Sequence, residues 1–107
     1  ADLRAMPEEV KDRVGYALWR AQLGEKAESA KALKGFGDAG VLEIVEDFDR
    51  ATYRAVYTVR FAQAVYVLHV FQKKSRKGGK TPPADIALIE RRLRWAEQDV
   101  KARGEER

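Results

Sequence analysis

Val65-Tyr66-Val67-Leu68-His69-Val70-Phe71 is apolar at every position except His69. A strand with one face in water alternates polar and apolar residues, so an unbroken run predicts a strand buried on both faces. Alternation along it puts His69, Phe71 and Lys73 on one face and Leu68, Val70, Gln72 and Lys74 on the other. The run passes directly into Lys73-Lys74-Ser75-Arg76-Lys77-Gly78-Gly79-Lys80, which contains no acid, so an element expected at the core ends in concentrated positive charge.

Upstream, Leu3, Val10, Val14, Ala17, Leu18 and Ala21 recur mostly at three- and four-residue steps, which predicts an amphipathic helix within Asp2–Leu23. Pro7 suits its first turn, Asp2–Met6 reads as a lead-in turn, Tyr16 and Trp19 widen the buried stripe, and Gly24 has the chemistry of a C-terminal cap. A second, shorter helix is expected over Ala27–Leu33. The glycines at 35, 37 and 40 mark a loop. Val41–Asp47 and Tyr53–Arg60 then change to the β-branched and aromatic composition of strands, with Phe48–Thr52 as the turn. Short connections predict a three-stranded antiparallel meander with Tyr53–Arg60 in the middle. Thr81-Pro82-Pro83 is a helix-start signal, with Thr81 as the cap, and Ile86, Ile89, Leu93 and Val100 carry that helix to about Ala102. The expected architecture is one α+β domain over residues 1–107.

With 107 residues, no cysteine and a formal net charge of +4, the chain is a single domain without a disulfide framework or thiolate metal site. The lack of cysteine fits a reducing cytosol, and a cytoplasmic location is expected. No apolar run approaches the roughly 20 residues of a membrane span. The excess charge gains meaning from its concentration in Lys73–Lys80, which points to anionic partners. The chain begins at Ala1 in helix-like sequence, so a preceding segment is expected to have been removed.

Arg54 and Thr58 share one face of the middle strand, with Arg60 following on Arg54's side. An arginine there needs a partner or a cleft, and either a salt bridge to Glu43 or a phosphate meets that need; the first would preset the rotamer for the second. His69 is read either as a histidine satisfied by a backbone or tyrosine partner or as a working group. It is the only histidine and no cysteine accompanies it, so no metal site and no cofactor are expected. The basic run is either a solvated loop or a phosphate-binding segment. Trp19 and Trp95 fall in helical patterns and are expected to pack rather than stack on bases. Phosphate-loop, nucleophile-elbow and HExxH signatures are missing. Arg, Lys and His on one sheet face suit attack by a 2′-hydroxyl on the adjacent RNA phosphate, in which the substrate supplies the nucleophile.

Tyr53-Arg54-Ala55-Val56-Tyr57-Thr58-Val59-Arg60, Val65–Lys74 and the Thr81-Pro82 helix start, with Gly15-Tyr16-Ala17-Leu18 and Leu33-Lys34-Gly35-Phe36-Gly37 upstream, together resemble the HigB-like, phage-derived branch of the RelE/ParE toxin superfamily. The resemblance implies a RelE-like fold and the toxin of a type II toxin–antitoxin pair. It implies an endoribonuclease that cuts mRNA on the ribosome, with a helix-turn-helix antitoxin as partner. It assigns Arg54 to the scissile phosphate, Lys73 to the transition state and His69 to proton transfer or phosphate orientation; Glu43 lies where some relatives place a catalytic lysine, and a carboxylate there is expected to act as base instead. Arg60, Lys74, Arg76, Lys77 and Lys80 would bind RNA. Two alternatives of other kinds are a ParE-type gyrase poison and an inactive homologue that only binds a partner. The family's usual first strand has no counterpart ahead of the first helix, which would leave a sheet edge open.

Overall fold

Helix α1 (Glu8–Gln22) forms where the apolar spacing predicts, and Val10, Val14, Ala17 and Ala21 are its buried face. Acidic Glu8 and Glu9 in its first turn meet the positive end of the helix dipole. Its C-terminus is closed by Gly24 at φ +82°. There the Gly24 amide donates to Ala21 O at 3.0 Å and the Glu25 amide to Arg20 O at 2.9 Å, the paired bonds of a Schellman cap. The computed structural model describes residues 6–33, 36, 40–61, 65–73 and 81–103. The lead-in Asp2–Ala5 lies outside them.

Four strands follow: β1 (Ala30–Ala32), β2 (Val41–Phe48), β3 (Ala51–Thr58) and β4 (Tyr66–Lys73), then α2 (Pro83–Ala102). They form one sheet in the order β1-β2-β3-β4, with every neighbouring pair antiparallel. Among the described residues the fold is therefore α+β, with one helix before the sheet and four strands, where two helices and three strands were expected. The difference lies at Ala27–Leu33. Alanine favours helix, but that preference is worth well under about 1 kcal/mol per residue. Here Ala30 stands opposite Ile44 and is buried, and the Leu33 amide donates to Val41 O at 3.1 Å. Small side chains let this edge segment lie against β2, and the ladder satisfies backbone groups that a two-turn helix would leave largely open.

The β2–β3 hairpin closes with Asp49 (φ 51°) and Arg50 (φ 67°), a two-residue loop with both residues left-handed. Asparagine, aspartate and glycine are at home there; arginine is not. Arg50→Gly is expected to raise the melting temperature by about 2–4 °C, since relief of the left-handed strain slightly exceeds glycine's extra unfolded-state entropy. A thermal melt checks this.

The helices cover opposite faces of the sheet. Ile44, Ala55, Tyr57 and Val70 pack with the buried face of α1, while Val41, Val56, Leu68 and Phe71 pack with Ile89, Leu93 and Ala96 of α2. Burial pushes the Tyr57 phenol above its ordinary range, so it stays protonated. The strand buried most continuously is β3, from Arg54 to Thr58, because β4 lies at the sheet edge and Val67 is exposed. Strict alternation in β4 also fails. Val56 pairs with His69 but Tyr57 with Val67, so Leu68 is the extra residue of a bulge and joins the α2-side cluster while Val70 joins the other. Two further expectations change. Thr81 does not cap α2, whose N-cap is Pro82 with no side-chain cap bond. Tyr16, Trp19 and Trp95 face solvent rather than the core.

Candidate functional site

The α2-facing side of the sheet gathers three of the residues singled out in the sequence. Arg54 on β3 stands between Val45 and Phe71 in the register, Glu43 on β2 lies diagonally across from it, and His69 on β4 is opposite Val56. The Arg54 Nη1 donates to Glu43 Oε2 at 2.9 Å, and the two side chains are 2 % and 3 % exposed. This is the salt bridge that the strand spacing allowed. The Thr81 hydroxyl donates to the same Glu43 oxygen at 3.0 Å, tying the lead-in of α2 to the strand pair. A carboxylate in this position has its negative charge met by a guanidinium and a hydroxyl.

His69 is held differently. Its Nε2 lies 2.8 Å from Asp85 Oδ1 on the first turn of α2, and its ring stacks on Phe71 with centroids 4.8 Å apart and planes 17° from parallel. The imidazole is thus fixed by a flat apolar neighbour and an anion, and among the described residues it has neither the backbone nor the tyrosine partner weighed from sequence. A carboxylate that accepts from Nε2–H leaves Nδ1 as the proton-accepting nitrogen. The histidine side chain is 10 % and the Asp85 side chain 27 % exposed, so this pair borders solvent where Arg54 and Glu43 do not.

Lys73 ends β4, and its backbone stands directly opposite Thr52, two positions beyond Phe71. Its side chain, together with Lys74, Arg76, Lys77 and Lys80, lies outside the described residues. Arg60 is not part of the cluster: β3 ends at Thr58, and the Arg60 guanidinium pairs with Glu97 of α2 and lies 5.9 Å over the Phe61 ring. Two participants were not foreseen. Thr81 was recognised as a polar group at the helix start, but its target across the sheet was not. Asp85 carried no signal at all, since only the docking of α2 brings it to His69, 16 positions earlier. Among the described residues no helix is long and apolar enough to cross a membrane.

The family model described as phage derived protein Gp49-like (DUF891) matches residues 1–94. No curated protein and no solved structure matches the chain.

Proposed function

Because the chain belongs to the Gp49-like phage-derived protein family, a RelE/toxin-like family, we propose that it is the toxin of a type II toxin–antitoxin pair and an endoribonuclease of the HigB kind. Its substrate in this reading is mRNA on the ribosome, and its partner is a helix-turn-helix antitoxin. The observation that carries the reading is the oriented His69–Asp85 pair, on the strand that runs out four residues later at Lys73 into the basic segment.

In the proposed reaction a ribose 2′-hydroxyl attacks the adjacent phosphorus. His69 takes the hydroxyl proton at Nδ1, and Asp85, bonded at Nε2, stabilises the imidazolium that forms. The P–O5′ bond breaks, leaving a 2′,3′-cyclic phosphate and a 5′-hydroxyl whose proton comes from a general acid or solvent. Lys73 and the basic residues after it meet the charge that builds on the phosphate oxygens.

Arg54 and Glu43 take a different role from the one that the resemblance assigns. Drawing Arg54 out to a phosphate would leave Glu43 buried without its cation, at a cost on the order of 3–5 kcal/mol. The pair therefore acts as a strut that fixes β2, β3 and the entry to α2 beneath His69. The same burial favours a second reading, a homologue that binds its partner and cuts nothing.

The deciding experiment is induced expression followed by mapping of RNA 5′ ends, with Lys73→Ala alongside. Discrete cuts within translated codons that vanish in Lys73→Ala are the expected result. Intact mRNA with a DNA-damage response would point to gyrase, and intact mRNA without one to the binding protein.

A further inference from the structure

Helix α2 sorts its charges. All four of its acids sit toward its margins, and three are engaged: Asp85 with His69, Glu97 with Arg60, and Asp99 with both the Tyr66 hydroxyl and Arg103. Of its cations, Arg92 is drawn back to the sheet, donating to Leu68 O at 2.9 Å. What remains outward is a stripe made of Ala87, Arg91, Arg94, Trp95, Gln98 and Lys101, all exposed. At 3.6 residues per turn these positions occupy roughly a third of the helix circumference, and no acid falls among them. Glu90, one turn before Arg94, is the nearest acid, and among the described residues it makes no ion pair. Arg91, Arg94 and Lys101 likewise have no ion-pair partner among the described residues. Trp95 is 60 % exposed, the largest exposure of any large apolar residue described, and no aromatic ring there contacts it.

We propose that this outer face of α2 is a binding surface for single-stranded RNA, with Arg91, Arg94 and Lys101 meeting phosphates and the Trp95 indole stacking on a base. Cations beside a flat exposed ring are the pairing that single-strand binders use: charge follows the backbone, and the ring accepts any base. An acidic peptide would satisfy the cations but offers no flat ring for the indole to stack on. The cations of the stripe span about 15 Å along the axis, from Arg91 to Lys101, and Arg91 stands about 9 Å beyond Asp85. A strand reaching it from His69 would pass round the side of α2, since Asp85 is turned to the sheet and the stripe away from it. The choice of RNA over other nucleic acids rests on the ribonuclease reading.

The test uses the full chain and a fluorescein-labelled single-stranded RNA of mixed sequence whose 2′-hydroxyls are methylated. Binding is followed by fluorescence polarisation over a salt series. Such RNA lacks the nucleophile, so its binding is judged apart from cleavage, which the 5′-end map decides. The triple variant R91Q/R94Q/K101Q is expected to flatten the log–log salt dependence by about 2, from about 0.7 for each cation lost. Trp95→Ala is expected to weaken binding at least about fivefold with the slope kept. In a Trp19→Phe background, the remaining emission of Trp95 should be quenched as RNA is added. All these side chains are exposed, and matched circular dichroism spectra check the fold. An unchanged slope in the triple variant, or unchanged affinity in Trp95→Ala, would overturn the proposal. So would Trp95 emission that ignores RNA but responds to poly-glutamate, the mark of an acidic protein partner.

Discussion

Arg54→Ala is expected to lower the melting temperature by more than about 10 °C, the largest stability effect of any single substitution at the candidate site. The substitution removes the cation from a carboxylate that is itself 3 % exposed. A buried charge left in this way costs on the order of 3–5 kcal/mol, against a total stability of about 5–15 kcal/mol for a domain of this kind. Removing both charges is a different matter. With Arg54→Met and Glu43→Leu together, no charge is stranded, and well-packed apolar replacements of buried pairs are commonly neutral or better. The Thr81 hydroxyl loses its acceptor, which limits the gain by about 1 kcal/mol. Thermal melts of the two single variants and the double form a cycle that reads the coupling directly. A melting temperature for Arg54→Ala within a degree or two of the parent would show that the pair is not a strut.

The cycle also governs how activity is read. Loss of growth inhibition in Arg54→Ala has two causes, unfolding and a missing phosphate contact, and the single variant cannot separate them. The double variant can. If it melts like the parent and still cuts RNA, Arg54 holds the sheet and nothing more. If it melts like the parent and cuts nothing, one of the pair takes part in the reaction, Arg54 at the phosphate or Glu43 as base, and the pair must open for it.

What the sequence conveyed follows from where its physics is local. The bounds of α2, the Gly24 cap and the Arg54–Glu43 bridge depend on periodicity, on one residue's backbone freedom and on strands joined by a two-residue turn, and each was legible. Ala27–Leu33 reads as helix because its alanines carry a weak local preference, while its conformation is decided by pairing with β2, ten to fourteen positions away. The bulge at Leu68 leaves no trace in a run that is apolar on both sides of a single histidine, with no alternation for an extra residue to break. Trp95 was assigned to packing from its place in a helical sequence. Ile89, Leu93, Ala96 and Val100 fill the buried face, however, and Trp95 points elsewhere. Asp85 shows the general limit: a partner brought by tertiary docking cannot be found from spacing along the chain.

His69→Gln is expected to reduce mRNA cleavage by about 10²- to 10⁴-fold, the range that a positioned proton-transfer group contributes. Glutamine retains a polar end to meet Asp85 Oδ1, and its side chain can lie along the Phe71 ring, so the fold should hold while the proton-accepting nitrogen is gone. Asp85→Ala should cost less, about tenfold or more, because it frees the ring to turn and removes the anion without removing the base. A merely structural histidine would show losses that follow the melting temperature. A working one separates the two, and it offers a further signature: cleavage by His69→Gly should recover when free imidazole is supplied to a translating extract, and Asp85→Ala should not respond. Cleavage by His69→Gln at the parental rate, with the parental pattern of 5′ ends, would remove His69 from the reaction and leave the pair as a hinge pin between β4 and α2.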